Sequence, residues 1–123
     1  MNRSPHKNLE AWKSSMKLVE EIYKMTGSYP NEEKFGLVSQ MRRAAVSIPS
    51  NIAEGASDRT NSQFINYLST AIGSLAELDT QIEISKNLGF IDENSFESIS
   101  DLISKTKALV YGLRKSLKNI TKK

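Results

Sequence analysis

Leu9, Trp12, Met16, Val19 and Ile22 recur at intervals of three and four residues, the spacing that lines one side of an α-helix. Asn8 stands where an N-cap would stand and Gly27 follows the stripe, which predicts a first helix over about 8–26. Tyr29-Pro30-Asn31 reads as a turn, with Asn31 expected to cap a second helix over about 31–57. Its opening Glu32 and Glu33 suit the positive end of the helix dipole, and its apolar positions are Leu37, Met41, Ala45, Ile48 and Ile52. Phe64, Leu68, Ile72, Leu75, Leu78 and Ile82 form a third stripe, over about 61–88, between the cap candidates Thr60 and Asn61 and the stop at Gly89. Asp92 is placed to cap a fourth helix over about 92–120, striped by Phe96, Ile99, Ile103, Val110, Leu113, Leu117 and Ile120.

No segment alternates with period two over strand length, so the pattern predicts an all-α chain. Short connections make successive helices antiparallel neighbours, which gives an up-down-up-down antiparallel four-helix bundle. The expectation is a single four-helix-bundle domain over 1–123, long enough to bury about two-thirds of the surface its unfolded chain exposes and so to fold without disulfide or metal.

The run Arg42 to Ala56, RRAAVSIPSNIAEGA, departs from an ordinary surface helix. Pro49 removes one helical hydrogen bond and costs about 3 kcal/mol in a helix interior. Met41, Ala45, Ile48 and Ile52 nevertheless stay in phase across it, so one helix kinked at Pro49 is predicted rather than two helices. At 100° per residue, Arg43, Ser47, Ser50 and Glu54 fall opposite the apolar stripe. Val46, Pro49 and Ala53 lie on one flank, and Ala44, Asn51 and Gly55 on the other. A narrow polar stripe between small flanks suggests a helix enclosed on more than its core side. Tight packing inside the bundle is one explanation, and a subunit interface using Arg43, Ser47, Ser50, Asn51 and Glu54 is the other.

Charge sharpens this picture because it is unevenly placed. The net charge is +3, yet residues 61–104 hold one lysine against seven acids and residues 105–123 hold seven basic residues and no acid. Folded up-down-up-down, the chain collects Arg3, Lys7, Arg59, Arg114, Lys115, Lys118, Lys122 and Lys123 at one pole. Glu32, Glu33, Glu83, Asp92, Glu93, Glu97 and Asp101 collect at the other. Dipole complementation explains part of this, but the lysine-rich end exceeds what capping needs.

Catalytic chemistry finds little footing. There is no cysteine and one histidine, His6, whereas carboxylate-bridged di-iron bundles use Glu-x-x-His pairs. No spacing brings His6 to a serine with an orienting third group, and Gly73 lacks the lysine of a phosphate loop. Glu54, Glu77 and Glu83 could meet, although salt bridges to Arg43 or Arg59 would be the more ordinary outcome. A protein without enzymatic activity, metal or cofactor is expected. The start, MNRSPHKNLEAWKSS, has no signal-peptide core and no run is long and apolar enough to span a membrane, so a soluble cytoplasmic protein is the expectation.

QMRRAAVSIPSNIAEGASDRT (Gln40 to Thr60), FINYLSTAIGSLAELDTQ (Phe64 to Gln81) and NLGFI (Asn87 to Ile91) together resemble the four-helix-bundle family first noticed as open reading frames in intervening sequences of bacterial large-subunit ribosomal RNA genes. NLEAWKSSMKLVEEIYKMT (Asn8 to Thr26) and YPNEEKFGL (Tyr29 to Leu37) fit as well, and SIPSNIAEG is the most specific part. The resemblance implies a bundle that assembles into a homopentameric ring. A similar protein, the accessory variability protein of diversity-generating retroelements, implies a basic surface for nucleic acid and a nucleic-acid-processing protein as partner. The first functional expectation is therefore a ring binding RNA or DNA, structured RNA foremost, through Arg114, Lys115, Lys118, Lys122, Lys123 and Arg59. Tyr67 and Tyr111 are the aromatics to test for base contact. The alternative is a protein–protein scaffold or adaptor with no direct nucleic-acid role, docking through the acidic pole or the polar stripe of the second helix.

Overall fold

A computed structural model describes residues 5–57 and 60–121, the side chain of Thr121 excepted. The apolar stripes form four α-helices: α1 (Glu10–Thr26), α2 (Leu37–Ala56), α3 (Asn61–Asn87) and α4 (Glu93–Thr121). Each packs on its neighbours in sequence, and α1 and α4 close the square, while the backbones of the diagonal pairs stay apart among the described residues. The up-down-up-down bundle follows from this order. Leu18 and Ile22, Met41, Ile48 and Ile52, Leu68, Leu75, Leu78 and Ile82, and Val110 fill one core from all four helices, each worth about 1.5–3 kcal/mol of burial.

The helix stops obey local chemistry. Thr60 and Gln63 form a reciprocal capping box at the start of α3, and Gln63 N donates to Thr60 Oγ1 at 3.2 Å. Gly89 takes φ +77° while Phe90 N reaches back to Ser85 O at 2.9 Å, a Schellman closure that a left-handed glycine allows. Asp92 caps α4 by accepting from Ser95 N at 2.8 Å. That bond to the charged form, with a further contribution from the Ser95 hydroxyl, holds its carboxyl below the ordinary carboxylate range.

Two expected starts shift. Asn8 closes a short 3-10 turn, Pro5–Asn8, and α1 begins after Leu9 with no side-chain cap. Asn31 opens another 3-10 turn, Asn31–Glu33, and α2 begins only at Leu37 after Gly36. The intervening residues place Phe35 in solvent, 90% exposed, and bring Leu37 in against the core. Through Pro49, α2 runs as one helix. Pro49 itself is buried, and Asn51 Nδ2 shares the Ser47 carbonyl and hydroxyl one turn back, at 2.8 and 3.0 Å.

The buried line of α1 is Ala11, Ser14, Ser15, Leu18, Ile22 and Thr26, not the longer residues Trp12, Met16 and Val19, which lie at its edge. Serines can occupy this line because each hydroxyl is satisfied. Thr106 Oγ1 donates to Leu102 O at 2.8 Å and so accepts from Ser14 at 2.7 Å, while Ser15 donates to Trp12 O at 2.8 Å. Near the other end, the Tyr29 hydroxyl and Gln81 Oε1 are buried without a hydrogen-bond partner among the described residues. Ile120, expected in the stripe of α4, is 56% exposed. At 29 residues α4 is the longest helix and α1 has only 17.

Candidate functional site

The end of α4 gathers the basic residues expected to meet nucleic acid. Helical spacing sets Lys107, Tyr111, Arg114 and Lys118 in one stripe with Lys115 beside it. Arg114 is fixed from two sides: Nη1 donates to Ser69 Oγ on α3 at 3.2 Å, and its guanidinium carbon lies 5.0 Å from the Tyr111 ring centroid. Tyr111, Gly112, Arg114, Lys115 and Lys118 line a shallow notch of about 350 Å³. Gly112 forms its open side, since a Cβ there would meet nothing within 4 Å. The facing half of α3, from Asn61 to Ala76, contains no acid, so nothing on that wall neutralises the notch. Tyr67 is half-buried on α3, against Gly55. Arg59, Lys122 and Lys123 lie outside the described residues.

The five residues assigned to a subunit interface divide. Ser47 and Asn51 turn toward α3, where Ser74 Oγ donates to Ser47 Oγ at 2.8 Å, and the adjacent Gly55 packs against Phe64 and Tyr67. Intramolecular packing therefore accounts for the small Ala44–Asn51–Gly55 flank. Arg43 and Ser50 face outward, and Arg43 makes no hydrogen bond or ion pair among the described residues, so the expected Arg43 salt bridge does not form. Glu54 is exposed at the far end of α2, while Glu77 and Glu83 are exposed on α3. Among the described residues no group of three or more His, Cys, Asp or Glu is placed to hold a metal. His6 packs edge-on against Trp12, ring centroids 5.2 Å apart.

The other flank of α2 stays open, and the sequence reading passed over what it builds with α1. Trp12, Met16, Val19, Val46, Pro49 and Ala53 line an apolar trough of about 300 Å³. It adjoins a groove of about 580 Å³ floored by Tyr23, Phe35, Val38 and Val46 and rimmed by Lys34, Arg42 and Arg43. Arg42 donates from Nε to Thr26 Oγ1 at 3.0 Å and lies 4.4 Å from the Tyr23 ring centroid, neutral partners that leave its charge uncompensated. The available signal was the recurrence of Trp12, Met16, Val19 and Tyr23 along a second edge of α1, with Phe35 out of phase with Leu37 and Met41. The pole expected to be acidic is also less uniform than its sequence suggested, because Lys86 pairs with Glu93 at 3.7 Å and stands 4.3 Å from the Phe96 ring centroid.

Among the described residues no helix is long and apolar enough to cross a membrane. The fold is similar to that of a protein of unknown function from the S23 ribosomal protein family of Bacteroides thetaiotaomicron, known from its crystal structure. The TM-score is 0.79 at 24% identity, over 85% of this chain and 95% of that one. No curated protein matches the sequence. The profile of the 23S rRNA-intervening sequence protein matches residues 7–112, from the turn before α1 to Gly112 in α4, short of Arg114 and the residues that follow it, and the chain belongs to that family.

Proposed function

We propose that this chain is a non-catalytic, ring-forming cytoplasmic protein that binds nucleic acid, structured RNA foremost, through its basic pole. The observation that carries the reading is the notch at the end of α4, where Arg114, Lys115 and Lys118 surround an exposed tyrosine opposite an acid-free stretch of α3. Cations aligned this way release counterions from a phosphate backbone, which is the largest source of sequence-independent affinity. The sequence resemblance supplies the homopentamer, and a cyclic ring would present five copies of the pole on one side. Kinship with the accessory variability protein of diversity-generating retroelements, also read from sequence, points the same way.

The test is fluorescence anisotropy of a structured RNA across a salt series, for the parent and for a variant with Arg114, Lys115 and Lys118 changed to glutamine. Loss of three phosphate contacts per engaged chain should flatten the log–log salt slope by about 2–3. Absence of binding at low salt by an intact oligomer would refute the nucleic-acid role. The apolar α1–α2 groove favours a second reading, a scaffold for a protein partner. That reading gains if RNA binding is absent while the groove variants described below lose a co-purifying protein.

A further inference from the structure

The α1–α2 groove exposes a phenylalanine ring that is 90% accessible, next to arginines that no carboxylate offsets. Covering it would remove apolar surface from water, and its occupant must bring apolar and acidic groups together. Such a surface exists on this chain. The outer face of α3 carries Glu77, Glu83, Ile84 and Leu88 at helical spacing, with Gly73 and Ala76 keeping the backbone accessible. Leu88 is 58% and Ile84 41% exposed, and neither glutamate makes a hydrogen bond or ion pair among the described residues. Hydroxyls on this face are already satisfied within the helix: Ser69, Thr70 and Thr80 donate to Ile65 O, Asn66 O and Ala76 O at 3.0, 3.3 and 3.1 Å. Burying them therefore strands no polar group.

We infer that the groove between α1 and α2 receives the outer face of α3 from a second copy of this chain, Phe35 and Tyr23 meeting Ile84 and Leu88 while Arg42 and Arg43 meet Glu83 and Glu77. Phe35 to Val46 along the groove and Glu77 to Leu88 along α3 each cover twelve residues, so the two surfaces are of similar extent. Both apolar ends lie at the same pole, where α1 and α3 finish and α2 begins. Rotation about an axis parallel to the bundle brings them together at one height. Because the two surfaces differ, the contact is heterologous and closes into a ring or propagates. The inference rests on the ring reading and names its two faces.

The test uses two full-length variants, Phe35→Asp in the groove and Leu88→Asp with Ile84→Asp on α3, weighed by light scattering at matched concentration. All three positions are exposed, and unchanged helical circular dichroism verifies the fold. Each variant alone should fall to the 13.8 kDa single chain, and an equimolar mixture should double in mass, since one sound groove and one sound face remain between the two chains. In a second series, Arg43→Glu should lower the mass and Glu77→Lys in the same chain should restore it. A parent oligomer that survives either set of aspartates, or variants that stay single when mixed, would overturn this pairing and leave the ring standing. A parent that is itself 13.8 kDa would overturn the ring reading and this inference together.

Discussion

Gly55 on α2 lies so close to α3 that a Cβ there would sit 2.7 Å from Phe64 Cδ1 and 2.9 Å from the Tyr67 Cβ. The glycine in the SIPSNIAEG run is thus a packing requirement of the α2–α3 seam. The Phe64 ring can swing, but Tyr67 Cβ is fixed to its helix, so a larger residue must push the helices apart. Gly55→Ala should destabilise the chain by about 1–3 kcal/mol, the usual cost of overpacking, measured by urea unfolding. An unchanged midpoint would show that the seam yields freely.

The Ser14–Thr106 pair fastens α1 to α4 through two buried hydroxyls. Ser14→Ala leaves Thr106 bonded to its own carbonyl at Leu102 and should cost about 1 kcal/mol. Thr106→Val strands the Ser14 hydroxyl and should cost about 1–3 kcal/mol. In the double variant no hydroxyl is orphaned, so the combined loss should be smaller than the sum. A double-mutant cycle in denaturant reads the difference, and strict additivity would mean that the bond contributes nothing.

The sequence exposed this fold well where the pattern is long and the terminal chemistry strong. Four stripes marked four helices, Thr60, Asp92 and Gly89 marked their ends, and the phase kept across Pro49 disclosed one helix. It failed where two signals compete. On α1 the long side chains Trp12, Met16 and Val19 outweigh the true core line, in which Ser14 and Ser15 look solvent-facing until their partners are in place. Before α2, Asn31, Glu32 and Glu33 have the composition of a helix start, yet the chain first spends a 3-10 turn turning Phe35 outward. At the candidate site, the basic end of α4 was legible as charge. The α1–α2 groove was not, because it arises from two helices whose relative rotation no single stripe reports.

Tyr29 supplies a pH-dependent prediction. Burial raises its phenol pKa, and the Ser85 hydroxyl, already committed to the Gln81 carbonyl at 2.9 Å, offsets only part of the effect. A folded-state pKa above the unfolded value of about 10 means that the full stability is present below that pH and is lost as pH rises towards the folded value. Tyr29→Phe removes both the unpartnered hydroxyl and this titration. It should stabilise the chain by about 1 kcal/mol at neutral pH, and its advantage over the parent should widen above about pH 10. Thermal melts of both proteins between neutral pH and pH 11 measure the gap, and a constant gap would contradict the burial effect.

Gly112 separates stability from function in one substitution. It sits in the middle of α4, where glycine costs about 1 kcal/mol relative to alanine, and no neighbour occupies the space its side chain would take. Packing therefore does not explain it, unlike Gly55. What the missing side chain leaves open is the notch beside Tyr111, whose ring already carries the Arg114 guanidinium at 5.0 Å. A base stacked on such a ring contributes about 1–3 kcal/mol. Gly112→Ala should thus raise the melting temperature while weakening RNA binding, with the salt slope unchanged because no cation is lost. Tyr111→Ala should weaken binding about tenfold, again at constant slope, whereas Arg114→Gln should flatten the slope. Equal binding by the Gly112→Ala variant and the parent would show that nucleic acid does not enter the notch and would reduce its role to surface charge alone.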